Sequence, residues 1–342
     1  MMSNACARLG VLLVTLLAVA SLWLSGGAAA QERTYILSTA TTGGTYYPVG
    51  VAIATLVKVK LVPREDIAMA AISSAGSGEN VKLLREDQAQ FAILQGLFGR
   101  WAWTGTGKVA ADGPQEYLRS VTMLWRNVEH FAVRSEHAAS GTIADLANLT
   151  GRKFSIGKRN SGTEGSGLEI LANLGLDPEA TFDIVNLGYG PSADALQNGT
   201  IEGFNMPGGV PIGAITRAFA SVGDGLVVLD FTDDQLDRAN GGGELWTRYV
   251  IAAGTYPGQG TEIRTIAQPN FLAVRNDVDA DAVYLITKTI YENLPFLHSI
   301  HKATKAMSLD QALAGLPAPL HPGAARYYRE VGIEIPAALI TP

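Results

Sequence analysis

Three short segments rich in glycine and hydroxyl side chains are the part of this sequence best suited to binding chemistry. They are Thr41–Pro48, Ser73–Asn80 and Asn160–Ser166, called loops 1, 2 and 3 below, and each directly precedes a helical pattern. The first N–H groups of a helix lack intrahelical partners, and the helix dipole adds partial positive charge at the same end. Glycine lets the backbone approach a ligand closely. The loops therefore predict capture of a carboxylate or phosphate without Lys or Arg.

Helix capping is the competing explanation for each loop taken alone, because Ser, Thr and Gly are common at helix starts. Three such loops in one chain favour binding, since loops at the carboxyl ends of parallel strands converge on one crevice. The sequence has no Gly-x-x-x-x-Gly-Lys-Ser/Thr motif, and no Gly-x-Gly-x-x-Gly fingerprint follows the first predicted strand. We expect no nucleotide and no other cofactor.

Four further side chains stand at predicted loop or strand ends: Tyr46, Trp125, Arg126 and Tyr189. The aromatic rings could cover a ligand, and Arg126 could bind its distal carboxylate, because Arg is the best bidentate partner for that group. The alternatives are ordinary packing for Trp125 and Tyr189, and a surface or interlobe ion pair for Arg126.

Residues for metal binding or covalent catalysis are poorly represented. The only cysteine, Cys6, lies in the first 30 residues, and His298 and His301 share a helical face without further ligands. Gly165–Gly167 resembles a nucleophile elbow around Ser166, but with the wrong spacing. The sequence therefore predicts no metal site and no enzyme, with a periplasmic hydrolase as a minor alternative.

The N-terminus has the three parts of a secretory signal in order. Arg8 supplies the positive flank, Leu9–Leu24 is an apolar run, and Ala28–Ala30 supplies small residues before Gln31. The apolar run is shorter than the roughly 20 residues that span a bilayer. We expect residues 1–30 to be a signal peptide that is cleaved on export to the periplasm. An uncleaved N-terminal anchor is the alternative.

About 312 residues remain after this segment, more than one hydrophobic core usually supports, so two lobes are expected. Short β-branched runs such as Tyr35–Ala40 and Phe91–Gln95 alternate with helical patterns, which indicates an α/β fold with mainly parallel sheets. The predicted boundaries place the first part of lobe I at 31–138 and lobe II at 139–262. Residues 263–342 are expected to return to lobe I and to include the C-terminal helices.

The charge of the chain limits its partners. The formal net charge is −6, which gives no electrostatic reason to bind nucleic acid or an anionic membrane surface. If the protein binds an anion, local geometry must act against this overall charge. We expect a monomer.

Long, ordered motifs resemble the TAXI family, the solute receptors of one class of tripartite ATP-independent periplasmic (TRAP) transporters. The resemblance covers nearly all of the chain after the signal. Its motifs are T-G-G-T-Y-Y-P at Thr42–Pro48, S-x-G-S-x-E-N at Ser74–Asn80 with Gln95 ending the next strand, N-S-G-T-E at Asn160–Glu164, A-G-T-Y-P-G at Ala253–Gly258 and H-P-G-A-A-R-Y-Y-R-E at His321–Glu330.

The resemblance implies a type II periplasmic-binding-protein fold, with two α/β lobes and a ligand cleft between them. It also implies a small organic anion as ligand, either a glutamate-like amino acid or a dicarboxylate such as 2-oxoglutarate, and delivery to the TRAP membrane permease. Gly96–Arg100 and Asn205–Gly209 depart from the family pattern and are candidates to face the pocket. The ligand contacts would come from Gly44, Thr45, Tyr46, Ser77, Asn80, Gln95, Ser161, Gly162 and Thr163, and we add Tyr189 as a candidate.

A periplasmic sensor subunit that signals to a membrane kinase uses the same fold and remains an alternative function. A gene for a fused TRAP membrane protein next to this gene would favour transport over sensing.

Overall fold

The computed structural model describes residues 32–340, so the predicted signal peptide lies outside the described part. Residues 34–340 belong to one compact unit. The strands are β1 (Arg33–Ser38), β2 (Ile67–Ile72), β3 (Phe91–Gln95), β4 (Leu118–Val128), β5 (Phe131–Arg134), β6 (Lys153–Ser155), β7 (Asp183–Val185), β8 (Gly203–Asn205), β9 (Leu226–Val228), β10 (Thr247–Ile251) and β11 (Ile263–Arg275). The α-helices are α1 (Tyr46–Glu65), α2 (Ser77–Arg85), α3 (Gly96–Thr104), α4 (Gly162–Asn173), α5 (Pro178–Thr181), α6 (Tyr189–Gln197), α7 (Gly213–Val222), α8 (Asp233–Ala239), α9 (Ala280–Glu292), α10 (Leu294–Ile300) and α11 (Pro322–Glu330).

The strands form two sheets, which confirms the two-lobed α/β prediction. The first sheet has the order β10-β11-β3-β1-β2, and β4 also pairs with β11. The second sheet has the order β7-β6-β8-β5-β9. The predicted lobe boundaries at residues 139 and 263 stay a prediction.

Each sheet combines parallel with antiparallel pairs, so the prediction of mainly parallel sheets is too simple. Strands β1 and β3 are parallel, and β6 is parallel to both β7 and β8. By contrast, β11 is antiparallel to β3, β4 and β10, and β5 is antiparallel to β8 and β9. Strands β4 and β5 belong to different sheets and are separated by only two residues, so they link the two lobes directly.

The crossover between β4 and β5 consists of two buried residues, Glu129 and His130. The Glu129 N–H donates to the Ile266 carbonyl at 2.9 Å, and the Thr265 hydroxyl donates to the Glu129 carbonyl at 2.8 Å. Strand β11 therefore holds the crossover in place through these two hydrogen bonds.

The core of the first lobe lies between its sheet and helices from both ends of the described chain. Leu37, Ile53, Val57 and Ile286 are completely buried in one apolar cluster, and α9 packs against both α1 and α11. Helix α1 is long and apolar enough to cross a membrane, but half of its apolar window is buried, as in the core helix of a globular protein.

The two lobes are in direct apolar contact beside the cleft. Phe98 of α3 belongs to the same buried cluster as Phe154 and Ile170 of the second lobe. A Cβ added to Gly165 of α4 would lie 2.3 Å from the Phe98 ring. Only glycine allows this approach, so the lobes are in close contact at this point.

Candidate functional site

A small cavity lies between the lobes, where several helices begin. Its volume is about 30 Å³, which is room for about two water molecules. Helices α1, α2, α3, α4 and α6 reach it with their N-cap or first residue. No charged side chain of residues 32–340 lines it. The lining residues are Ala40, Thr41, Gly44, Thr45, Tyr46, Ala75, Gly76, Ser77, Gln95, Asn127, Gly162, Thr163, Tyr189 and Pro207.

Loop 1 ties the start of α1 to the second lobe. The Thr45 Oγ1 donates to the Gly209 carbonyl at 3.0 Å, and the Gly209 N–H donates to the same Oγ1 at 3.1 Å. The Tyr46 hydroxyl donates to Asn270 Oδ1 at 2.5 Å. A Cβ added to Gly44 would lie 3.2 Å from the Tyr189 ring. Loop 1 therefore lines the cavity and also joins the lobes across the cleft. We call the two hydrogen bonds between Thr45 and Gly209 the Thr45–Gly209 clasp.

Loop 2 contributes Ser77 to the cavity, whereas Asn80 lies behind it. The Ser77 Oγ accepts the Gln95 N–H at 3.1 Å. The Asn80 side chain donates to the Thr39 carbonyl at 2.7 Å and to the Ile93 carbonyl at 2.9 Å. Asn80 does not line the cavity, and its contacts hold loop 2 against β1 and β3.

Loop 3 of the second lobe meets the end of β3 in the first. A Cβ added to Gly162 would lie 2.7 Å from Gln95 Cδ. Ser161 caps α4 by accepting the Glu164 N–H at 3.0 Å, and it does not line the cavity. The hydroxyls of Thr163 and Tyr189 bond at 2.8 Å, and both residues line the cavity.

Four buried amide side chains form a cluster beside the cavity that we call the polar floor: Gln95, Asn127, Gln268 and Asn270. Gln95 and Asn127 line the cavity, and Gln268 and Asn270 lie next to them in the sheet. Asn270 pairs with Gln95 across β3 and β11, and Gln268 pairs with Asn127 across β4 and β11. Alternate residues of a strand share a face, so the four side chains project together. One polar atom of each has no partner among the described residues. Because leaving such a group unpaired is costly, the polar floor is suited to a polar ligand or water.

Sequence reasoning found Gln95 but missed the rest of the polar floor. Asn127 precedes the crossover, and Gln268 and Asn270 lie inside β11. The sequence signal that could have identified these residues is a pair of polar residues two positions apart within an apolar strand.

Glu129 is the one buried carboxyl of the described residues close to this floor. It is completely buried, and its Oε2 accepts the Asn205 Nδ2–H at 3.0 Å. Burial raises the pKa of Glu129 to about 7, although Asn205, Ser166 and Trp246 partly oppose this. Burial also raises the pKa of the Tyr46 and Tyr189 hydroxyls, and the Glu129 charge adds to both shifts.

A wider groove of about 1160 Å³ leads to the cavity and shares Thr41, Gly44 and Tyr189 with its lining. Its charged lining in the described part of the chain is Lys158, Arg217, Lys302 and Glu79, with His301 beside them. The mouth of the cleft is therefore more positive than the chain as a whole.

Arg126, which was considered as a partner for a distal carboxylate, does not line the cavity. Trp125 is buried and packs edge-on against the Tyr46 ring, with centroids 6.0 Å apart. Arg126 follows it, so it projects from the opposite face, where it donates to the Thr247 hydroxyl. It lines a separate groove with Lys302 and Lys305.

Ser166 does not form a nucleophile elbow. It lies inside α4, not at a strand-to-helix turn, and its side chain is completely buried. The Asn205–Gly209 segment reaches the cavity through Pro207, whose carbonyl accepts the Tyr189 hydroxyl at 2.5 Å.

One group of side chains within the described chain has metal-ligand spacing: Glu136, His137 and Glu202. Arg134 lies 3.6 Å from the Glu202 carboxylate, and His137 lies 3.2 Å from it. Because the guanidinium already occupies that carboxylate, the group fits a surface ion-pair network.

This chain is similar to several solved binding proteins. BugD is 13% identical, with a TM-score of 0.52, over 88% of this chain and 94% of its own. The binding component of an ABC phosphonate transporter from Pseudomonas aeruginosa is 12% identical, with a TM-score of 0.49, over 79% and 78%. MatC from Rhodopseudomonas palustris, solved with malate, is 14% identical, with a TM-score of 0.49, over 87% and 99%. The first of these similarities establishes the fold, which is that of periplasmic solute-binding proteins.

The family assignment rests on the sequence. The model of the NMT1-like family matches residues 37–332, from β1 to just beyond α11. This assignment is coarser than the resemblance to TAXI receptors. Because the match spans most of the chain, this protein belongs to the NMT1-like family.

Proposed function

We propose that this protein is the periplasmic receptor of a TRAP transporter, which captures a small organic anion between its lobes and delivers it to the membrane permease. The ligand class that we propose is a glutamate-like amino acid or a dicarboxylate such as 2-oxoglutarate. The supporting observation is the convergence of five helix starts on an interlobe cavity that no charged residue of the described chain lines.

Helix starts favour anions because their N–H groups and dipoles act together. Each of these five helices is at least nine residues long. Enclosure between lobes strengthens the attraction, since water no longer screens it. Amide donors of the polar floor would bind a second carboxylate. A dicarboxylate is larger than the 30 Å³ cavity, so its binding requires the lobes to move apart and close again.

Direct ligand contacts are proposed for the predicted residues that line the cavity: Gly44, Thr45, Tyr46, Ser77, Gln95, Gly162, Thr163 and Tyr189. Ser161 and Asn80 support these contacts by holding loops 3 and 2.

A thermal-shift screen tests the ligand class. L-glutamate, 2-oxoglutarate and succinate are compared with D-glucose and L-lysine at equal ionic strength. The matching anion should raise the melting temperature, because a ligand at 100 times its Kd stabilises the native state by about 2.7 kcal/mol. A shift with the neutral or cationic compounds alone would contradict the proposal.

Delivery of the bound anion to a permease distinguishes a transport receptor from a sensor subunit. Radiolabelled anion should enter proteoliposomes that hold the permease encoded beside this gene only when the receptor is added. Uptake that does not depend on the receptor would contradict a transport role.

Export is part of the proposal. N-terminal sequencing of protein from the periplasmic fraction should begin at or near Gln31. Intact chain in the cytoplasm would contradict it.

A further inference from the structure

Glu129 occupies the crossover between the lobes, and the mechanism of capture described above does not use it. Its backbone is fixed by Ile266 and Thr265 of β11, and its side chain is completely buried. Asn127, two residues earlier, lines the cavity. Residues two apart in an extended chain are separated by about 7 Å. The Glu129 carboxyl is therefore a close neighbour of the anion site.

Among residues 32–340, the groups that act on this carboxyl are uncharged. Its Oε2 accepts a hydrogen bond from Asn205 of β8 at 3.0 Å. The other groups that face it are Ser166 of α4, Trp246 before β10, and the hydroxyls of Tyr46 of α1 and Tyr189 of α6. None of these groups is cationic, so an ionised Glu129 would lack a counter-charge.

The next residue, His130, is also uncharged at pH 7. The His130 ring bonds the Val128 carbonyl at 2.9 Å through Nδ1 and the Tyr256 hydroxyl at 2.8 Å through Nε2. Burial lowers the pKa of His130 to about 4, so it is neutral at pH 7. It offers no positive charge to Glu129.

An anion in the cavity adds a like charge next to this carboxyl. In a buried site, two neighbouring carboxylates repel each other, so each disfavours the ionised form of the other. One of the two groups therefore binds a proton. Both carboxyls of 2-oxoglutarate stay ionised between about pH 6 and about pH 8, so the proton goes to the protein.

We propose that Glu129 is protonated whenever the cleft is closed on its anion, so that the receptor takes up one proton for each anion it binds. This inference rests on the proposed function. Glu129 acts as a positioning residue: its neutral form allows the anion to approach the polar floor.

The test is calorimetric titration of 2-oxoglutarate and L-glutamate into the full mature protein at pH 8, where Glu129 of the free protein is largely ionised, in two buffers of different ionisation enthalpy. The difference between the two heats counts the protons taken up. The wild type should take up close to one proton per bound anion. Its Kd should rise about tenfold between about pH 6 and about pH 8.

Glu129→Gln keeps the shape and the acceptor oxygen of the side chain but cannot titrate. It should take up no proton, and its Kd should stay constant over the same range. Glu86→Gln is the matched control, because Glu86 lies at the end of α2 in a half-exposed ion pair with Lys82. It should behave as the wild type.

Anion binding without proton uptake, or uptake that persists in Glu129→Gln, would overturn the inference and leave the proposed function intact. Glu129→Gln that loses L-glutamate but keeps 2-oxoglutarate would also overturn it, since Glu129 would then be an ionised partner of the ligand ammonium. If neither anion binds the wild type and the thermal-shift screen finds no anion, the proposed function fails and the coupling fails with it.

Discussion

Gly162, the first residue of α4, packs so closely on the end of β3 that a Cβ there would lie 2.7 Å from the Gln95 Cδ. The two residues belong to different lobes. Their contact therefore joins the lobes across the cleft, and it leaves no room for an added methyl group.

Gly162→Ala should hinder closure, because the new methyl group and the Gln95 amide cannot both keep their places. We expect Kd for the anion to rise at least tenfold, which is about 1.4 kcal/mol. The melting temperature of the free protein should change little, since alanine favours helices. Gly213→Ala, at the start of α7, is the control, because its Cβ would lie 3.9 Å from the nearest atom, the Gly43 carbonyl oxygen. Equal Kd values for the two variants would contradict the role of this contact.

The two hydroxyl side chains of loop 3 should differ in their effects. Loss of one should lower stability, and loss of the other should weaken ligand binding. Ser161→Ala removes the cap of α4 and should cost about 1 kcal/mol of unfolding free energy with little change in Kd. Thr163→Val keeps the shape but loses the bond to Tyr189, and should raise Kd about tenfold. Denaturant unfolding and calorimetric titration of both variants check this. A large loss of affinity in Ser161→Ala would place that side chain in direct contact with the ligand.

The Thr45–Gly209 clasp should favour the closed form. Thr45→Val removes both hydrogen bonds across the cleft, each worth roughly 1 kcal/mol. The free variant should therefore have a larger radius of gyration by small-angle scattering than the wild type. Thr42→Val, an exposed position in the same loop, is the control. Identical scattering of Thr45→Val and wild type would show that the clasp does not determine closure.

Glu129 should make stability depend on pH even without ligand. Its folded pKa of about 7 lies above the ordinary value of 4.5, so the folded state binds more protons than the unfolded state between these values. Stability relative to Glu129→Gln should therefore fall as pH rises from 4.5 to about 7, by roughly 3 kcal/mol. Urea unfolding of both proteins at several pH values measures this difference. A difference that grows with pH would mean that the carboxylate is stabilised by a partner.

The sequence predicted the helix starts well and the crossovers poorly. Glycine and hydroxyl residues before Tyr46, Ser77 and Gly162 are local signals, and all three positions begin helices. The polar floor and Glu129 depend on which strands become neighbours, and a local pattern does not contain that information. Arg126 was considered as a ligand partner because of its charge, but strand alternation places it on the face opposite to Asn127.

The charged mouth and the uncharged cavity imply that salt acts on the kinetics of capture and release unequally. Lys158, Arg217 and Lys302 line the open groove, where ions in solution screen their attraction for an approaching anion. The helix starts that hold the anion are enclosed and are screened much less. Added salt should therefore slow association in stopped-flow measurements while the dissociation rate stays nearly constant. A receptor built in this way retains what it has captured even where the ionic strength of its surroundings rises.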